Sequence, residues 1–163
     1  MLLNEGLRGV THRQVAAEAK VPVGSIGYYY STREKLVVTC LDQLFESRRK
    51  VFHEIMGGSV DLKDPVQFAE AVVNVISCAQ AERVRQTVYA FVDSEREPGE
   101  VQAFSSAGLE ELKGMVTKMM EQHGVDGLNS TRVVQVAVGA AVTENHRDAP
   151  VSAVIDLLRV AEQ

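Results

Sequence analysis

Few residue types in this 163-residue chain stand at spacings that could carry out covalent chemistry. The four histidines, His12, His53, His123 and His146, are scattered, and no Glu-x-x-His or His-x-x-x-His pair offers two ligands to a metal. Cys40 and Cys78 each lie in an apolar helical pattern without a partner at ligand or redox spacing, and read as small buried hydrophobes in a reducing cytoplasm. No nucleophile elbow, P-loop or dinucleotide fingerprint occurs. The expectation is a protein that is not an enzyme and carries no cofactor or metal. What is left is the chemistry of contact. The stretch VPVGSIGYYYSTREKL, residues 21–36, brings Ser25, Tyr28, Tyr29 and Arg33 close together in sequence. A hydroxyl, two phenols and a guanidinium can hydrogen-bond base edges and phosphates while the rings cover sugar.

The elements that would hold these residues are helices. Nearly every segment carries the 3.6-residue rhythm, and period-2 alternation is almost absent, so the chain is expected to be all-α. Thr11 with Gln14 forms a capping-box start to a helix over about 11–19, and Val21-Pro22 interrupts it. A second short helix spans about 23–29. Two short helices joined by a three- or four-residue turn form the helix-turn-helix unit, whose second helix enters the major groove of DNA. Val15, Ala16 and Ala19 supply the inner face of the first helix, and Ile26 anchors the second. Val23, Gly24, Ser25, Gly27 and Tyr28 are small or hydrogen-bonding groups for its outer face. Charge agrees: residues 1–50 hold eight Lys+Arg and five Asp+Glu, while residues 51–163 hold nine and seventeen. A basic head thus precedes an acidic body, within a net charge of −5.

At this point residues 5–36, EGLRGVTHRQVAAEAKVPVGSIGYYYSTREKL, resemble the DNA-binding region of the TetR family of bacterial transcriptional regulators. The likeness lies in Gly6, the Thr11 cap, Val15-Ala16, Val21-Pro22, Gly24-Ser25-Ile26, the three tyrosines and the Arg33-Glu34-x-Leu36 start of a long helix. It implies a helix-turn-helix head over 1–35 and a helical ligand-binding and dimerisation domain over 36–163. It also implies a cytoplasmic homodimer that reads a palindromic operator in double-stranded DNA and is released by a small-molecule effector. By that resemblance the DNA-facing set is His12, Arg13, Val23, Gly24, Ser25, Gly27, Tyr28, Tyr29 and Arg33, with Arg33 on phosphate and Tyr30 packing inward. Three positions depart from the family pattern. Gly27 replaces a tyrosine, Lys20 replaces a glycine suited to a helix C-cap, and only Met1–Glu5 stand where the family has a full first helix. These departures keep open a second reading, an all-α dimer that binds a small molecule or protein and no longer binds DNA.

The body is expected to continue in helices. One starts at Ser31 or Thr32, with Leu36, Cys40, Leu41, Leu44, Phe45, Phe52 and Ile55 on its apolar face, and ends at Gly57-Gly58-Ser59. The next is capped by Asp64 with Pro65 behind it, on a stripe of Phe68, Ala69, Val72, Ile76 and Ala79. Later helices stop at Pro98-Gly99 and near Gly124, and two more span about 130–145 and 150–162. The first of these two is apolar on nearly all sides, which calls for cover on more than one face. Val133, Val136, Ala137, Ala140, Val154, Leu157 and Leu158 are therefore expected at a dimer interface. Phe68, Thr87, Tyr89, Phe91, Asp93, Phe104, Met115 and Met119 are candidate pocket residues, with Thr87 and Asp93 as polar anchors. No apolar run approaches the roughly 18 residues of a membrane span, and no membrane partner is expected.

Overall fold

In a computed structural model of the chain, residues 2–124, 127–144 and 146–161 are described. Met1, Asn145 and Glu162, at the ends of expected helices, lie outside the described residues. In chain order the helices are α1 (Leu2–Glu5), α2 (His12–Ala19), α3 (Val23–Tyr29), α4 (Arg33–Glu54), α5 (Pro65–Ile76), α6 (Val84–Ser94), α7 (Glu100–His123), α8 (Ser130–Thr143) and α9 (Ala149–Ala161). No strand occurs among the described residues, so the all-α class expected from the sequence is the one adopted.

Side-chain caps set four of the starts. Thr11, Thr32, Asp64 and Asn129 each accept a hydrogen bond from the backbone N–H three residues on, at 3.2, 3.3, 2.8 and 2.9 Å. The ends are less regular. Lys20 closes α2 in the left-handed region (φ 56°), the position where glycine would carry no penalty. The chain leaves α5 at Ile76, before Ala79, because Cys78 and Ala79 both take positive φ (54° and 65°). That turn buries Cys78 and leaves Ala79 exposed. Helix α6 stops at Ser94 rather than at Pro98, since a proline ring inside a helix clashes with the carbonyl four residues before it.

Two apolar clusters form. The larger joins α4's far end to α5, α7, α8 and α9 through residues such as Phe52, Phe68, Val72, Val116, Met119, Val133 and Val154. The smaller combines Leu2, Leu7 and Val10 with Leu36, Val37 and Leu41 of α4, Ala90 of α6 and Val101 of α7. The N-terminal segment therefore has no separate core: it borrows one from α4, α6 and α7. Helix α4 runs through both clusters, and its middle carries Phe45 and Arg48, 2% and 1% exposed. There α4 and α7 meet so closely that a Cβ on Gly108 would lie 2.2 Å from the Phe45 ring. Only glycine fits at that crossing.

Candidate functional site

Helix α3 leaves none of its seven residues buried. Val23, Gly24, Ser25, Gly27, Tyr28 and Tyr29 are all exposed, as is Arg13 on α2. Tyr28 and Tyr29 are 83% and 75% exposed and meet edge to face, their ring centroids 5.3 Å apart. Tyr30 and Ile26 turn the other way and pack on the smaller cluster. Neither Gly24 nor Gly27 has an atom within 4 Å of where a Cβ would stand, so no packing inside the chain requires them to be glycine. His12 is half-buried: its Nε2–H donates to the Tyr30 carbonyl at 2.6 Å and ties the start of α2 to the end of α3.

Arg33 is placed differently from the expectation. Its guanidinium donates twice to the Glu97 carboxylate, at 3.1 and 3.2 Å, and once to the Leu7 carbonyl at 2.8 Å. Arg33 thus clasps the N-terminal segment to the α6–α7 turn. Arginine at a helix start suits phosphate and carboxylate equally, and Glu97 lies 64 residues away in sequence. Other basic residues of the first fifty are also committed. Arg49 pairs with Glu46 and with Glu111, the latter at 2.9 Å, and Arg48 is buried. Arg8, Arg13, Lys20 and Lys35 are the exposed cations near α2 and α3.

A cavity of about 310 Å³ opens between α6, α7 and α8. Val88, Phe91, Val92 and Glu95 face it from α6, Ser105, Leu109, Leu112 and Lys113 from α7, and Thr131, Val134, Gln135 and Val138 from α8. Arg48 and Ile76 complete its wall. Of the candidate pocket residues, only Phe91 lines it. The others lie elsewhere in the body. Phe68, Thr87, Met115 and Met119 are buried in the interior, Tyr89 and Asp93 point to solvent, and Phe104 stacks on Phe45 at 5.2 Å. Thr87 Oγ1 is held by the Arg83 carbonyl at 3.1 Å, so it is no free anchor.

Arg48 was not singled out by the sequence, though it shares the α4 stripe of Leu41, Phe45 and Phe52 at helical spacing. It donates Nε–H to the Val75 carbonyl (3.2 Å) and Nη1–H to the Gly108 carbonyl (2.9 Å). Its charge lies 4.9 and 5.0 Å from the centroids of Phe45 and Phe91. Burial, above all, holds its pKa below the ordinary arginine value, opposed by the nearby Cys78 thiol. Beside it Ser94 and Ser105 share a buried hydroxyl hydrogen bond of 2.7 Å that joins α6 to α7. A larger hollow of about 400 Å³ lies between α5 and α9, but the charged residues in its wall, Glu70, Arg147 and Asp148, are all exposed.

Most of the residues expected at a dimer interface lie in the interior of the single chain. Val133, Ala137, Ala140, Val154 and Leu158 are buried within the single chain, where α8 and α9 pack on each other and on the rest of the body. Val136 and Leu157 are only half-buried, and Val142 and Val160 are 39% and 69% exposed. An all-round apolar helix has two faces to cover, and the chain itself covers the one to which most of the expected residues belong.

No family model matches the chain, and no curated protein matches it. Its fold is similar to that of the multidrug binding protein EbrR in a crystal structure with malachite green. The TM-score is 0.65, with 20% identity over 98% of this chain and 90% of that one. At that identity the likeness is one of fold. No described helix is long and apolar enough to cross a membrane.

Proposed function

We propose that the chain is a ligand-responsive, DNA-binding transcription regulator, a homodimer whose α3 helices read a palindromic site in double-stranded DNA. The observation that carries this reading is α3 itself: a helix with no buried residue, ending in two large aromatics held out in solvent. Exposed tyrosines of that kind mark a contact surface, and phenols with small neighbours suit a groove edge and its phosphates. The TetR-like run of residues 5–36 and the fold likeness support the same reading. In it, Ser25 reaches base edges, Tyr28 and Tyr29 contact phosphate and sugar, and Arg13, Lys20 and Lys35 supply the cationic contacts in place of Arg33. His12 positions the two helices rather than touching DNA. Dimerisation uses the outward faces of α8 and α9, with Val136, Val142, Leu157 and Val160.

The effector occupies the cavity between α6, α7 and α8, in keeping with EbrR, which was crystallised with a small molecule. Helix α4 links the two functions. Arg33 at its start is clasped to Glu97 in the α6–α7 turn, and Arg48 lies in the cavity wall about 22 Å further along the helix axis. An occupant that prefers one setting of α6 and α7 shifts the spacing of the two heads by its differential affinity alone. Repression with release by the effector is the expected sense.

Fluorescence anisotropy with DNA from upstream of the protein's own gene, at two salt concentrations, tests the reading without any ligand. Tight binding to one site, roughly 10³-fold above scrambled DNA, is expected. Ser25→Ala should change which sequence is preferred, whereas Arg13→Ala should weaken all sequences alike and flatten the salt slope. Equal, weak binding to every DNA supports instead a small-molecule-binding dimer without a DNA role.

A further inference from the structure

We infer that the cavity between α6, α7 and α8 takes an organic anion, a carboxylate or similar singly charged head on an apolar body about the size of two fused rings. This rests on the reading of that cavity as the effector site. Arg48 forms part of the wall and is 1% exposed, yet it makes no ion pair among the described residues. A buried cation normally carries a carboxylate, because removing it from water costs several kcal/mol. Here two carbonyl oxygens, two aromatic faces and the Cys78 sulfur provide partial negative charge, and the carboxylate whose charge reaches it, Glu111, is committed to Arg49 at 2.9 Å. The carbonyls take two of the five guanidinium N–H donors and the Cys78 sulfur faces another, which still leaves donors for a guest.

The other charges at the cavity do not reverse this. Lys113 is neutralised by Glu110 at 2.6 Å. Glu95, half-buried, accepts the single Ser106 hydroxyl hydrogen between its two oxygens, at 2.9 and 3.1 Å. Both are more open to water than Arg48, and a charge in the interior acts on a guest several times more strongly than one screened by solvent. Between these polar points the wall is apolar, with Ile76, Val88, Leu112, Val134 and Val138. A volume of about 310 Å³ lies at the small end of the range for ligand pockets. The site is thus shaped for an amphipathic guest whose charged end lies deep and whose apolar end lies toward the mouth.

The test compares three guests of one shape and three charges on the full chain by calorimetry: 2-naphthoate, 2-naphthamide and 2-naphthylmethylammonium. Naphthoate should bind about 10-fold or more tighter than the amide, as a charge-assisted pair allows, and the ammonium weakest of all. The preference should persist at 0.5 M salt, because a buried charge is little screened, whereas attraction to an exposed lysine fades. Arg48→Met should remove the gap between the two, so that naphthoate and the amide bind that variant alike. Should that variant fail to fold, the order of the three guests and its salt dependence in the unaltered protein decide. Tightest binding of the ammonium, a carboxylate preference that vanishes in salt or survives Arg48→Met, or no binding of any guest overturns the inference. The DNA measurement uses no ligand, so the regulator reading stands or falls separately.

Discussion

Helices α3 and α5 make opposite use of similar material. Helix α5 buries seven of its twelve residues among α4, α7 and α9, while α3, with a valine, an isoleucine and two tyrosines among seven, buries none. Helix α5 is held from several sides by apolar area, worth roughly 25 cal/mol per Å² removed from water. Helix α3 leans on α2 and on two half-buried anchors, Ile26 and Tyr30. The body therefore stores stability and the head offers contacts. Substitutions should separate accordingly, with body changes read in melting curves and head changes read on a partner.

The largest separation is expected on α9. Leu158→Glu places a charge at a site 2% exposed and should cost on the order of 4 kcal/mol, enough to abolish cooperative folding. Val160→Glu, 69% exposed, should change monomer stability by less than about 0.5 kcal/mol and yet split the proposed dimer. Thermal unfolding followed by circular dichroism, together with light scattering, checks both. A normal melt for Leu158→Glu alongside an intact Val160→Glu dimer would mean that the inward and outward faces are reversed.

Next come the glycines. Gly108→Ala forces a Cβ into the Phe45 ring at 2.2 Å and should lower the urea-derived stability by about 1–3 kcal/mol. Gly27→Ala meets nothing within 4 Å and should raise it by about 0.5–1 kcal/mol. On DNA the order should reverse, since a new methyl on the outer face of α3 keeps the backbone from close approach while Gly108 is far from any contact. If Gly27→Ala binds DNA as tightly as the parent, α3 is not the reading helix.

Lys20→Gly relieves a left-handed conformation and should add about 1 kcal/mol at the turn between α2 and α3. The gain should appear as slower amide exchange in α2, with the exchange of α5 and α7 unchanged.

The smallest effect in stability, and the most informative about coupling, concerns Arg33 and Glu97. Both side chains are 30% exposed, so the pair is worth about 0.5 kcal/mol in a double-mutant cycle. Arg33→Ala and Glu97→Ala should both loosen the head, seen as faster amide exchange in α2 and α3, with Arg33→Ala the larger because it also loses the bond to the Leu7 carbonyl. Loss of DNA affinity in Arg33→Ala with none in Glu97→Ala would return Arg33 to the phosphate contacts.

The sequence by itself determined what is local. The starts at Thr11, Thr32 and Asp64, the break at Val21-Pro22 and the helical period throughout follow from hydrogen bonds within a few residues, which the chain specifies without reference to distant parts. The outward set of α3 was legible too, because Ile26 and the polar or small residues beside it fix one face. Tertiary structure alone decided which groups met across long separations. Periodicity marks a face as apolar but not its neighbour, so Val133 and Leu158 could be assigned to a partner when α5, α6 and α7 already covered them. Glu97 lies 64 residues from Arg33, and Gly108 lies 60 from Arg48. A charge on an apolar stripe becomes a cavity wall only when another helix packs near enough to bury it and offers carbonyls in place of a carboxylate, and neither distance nor partner is written in the local pattern.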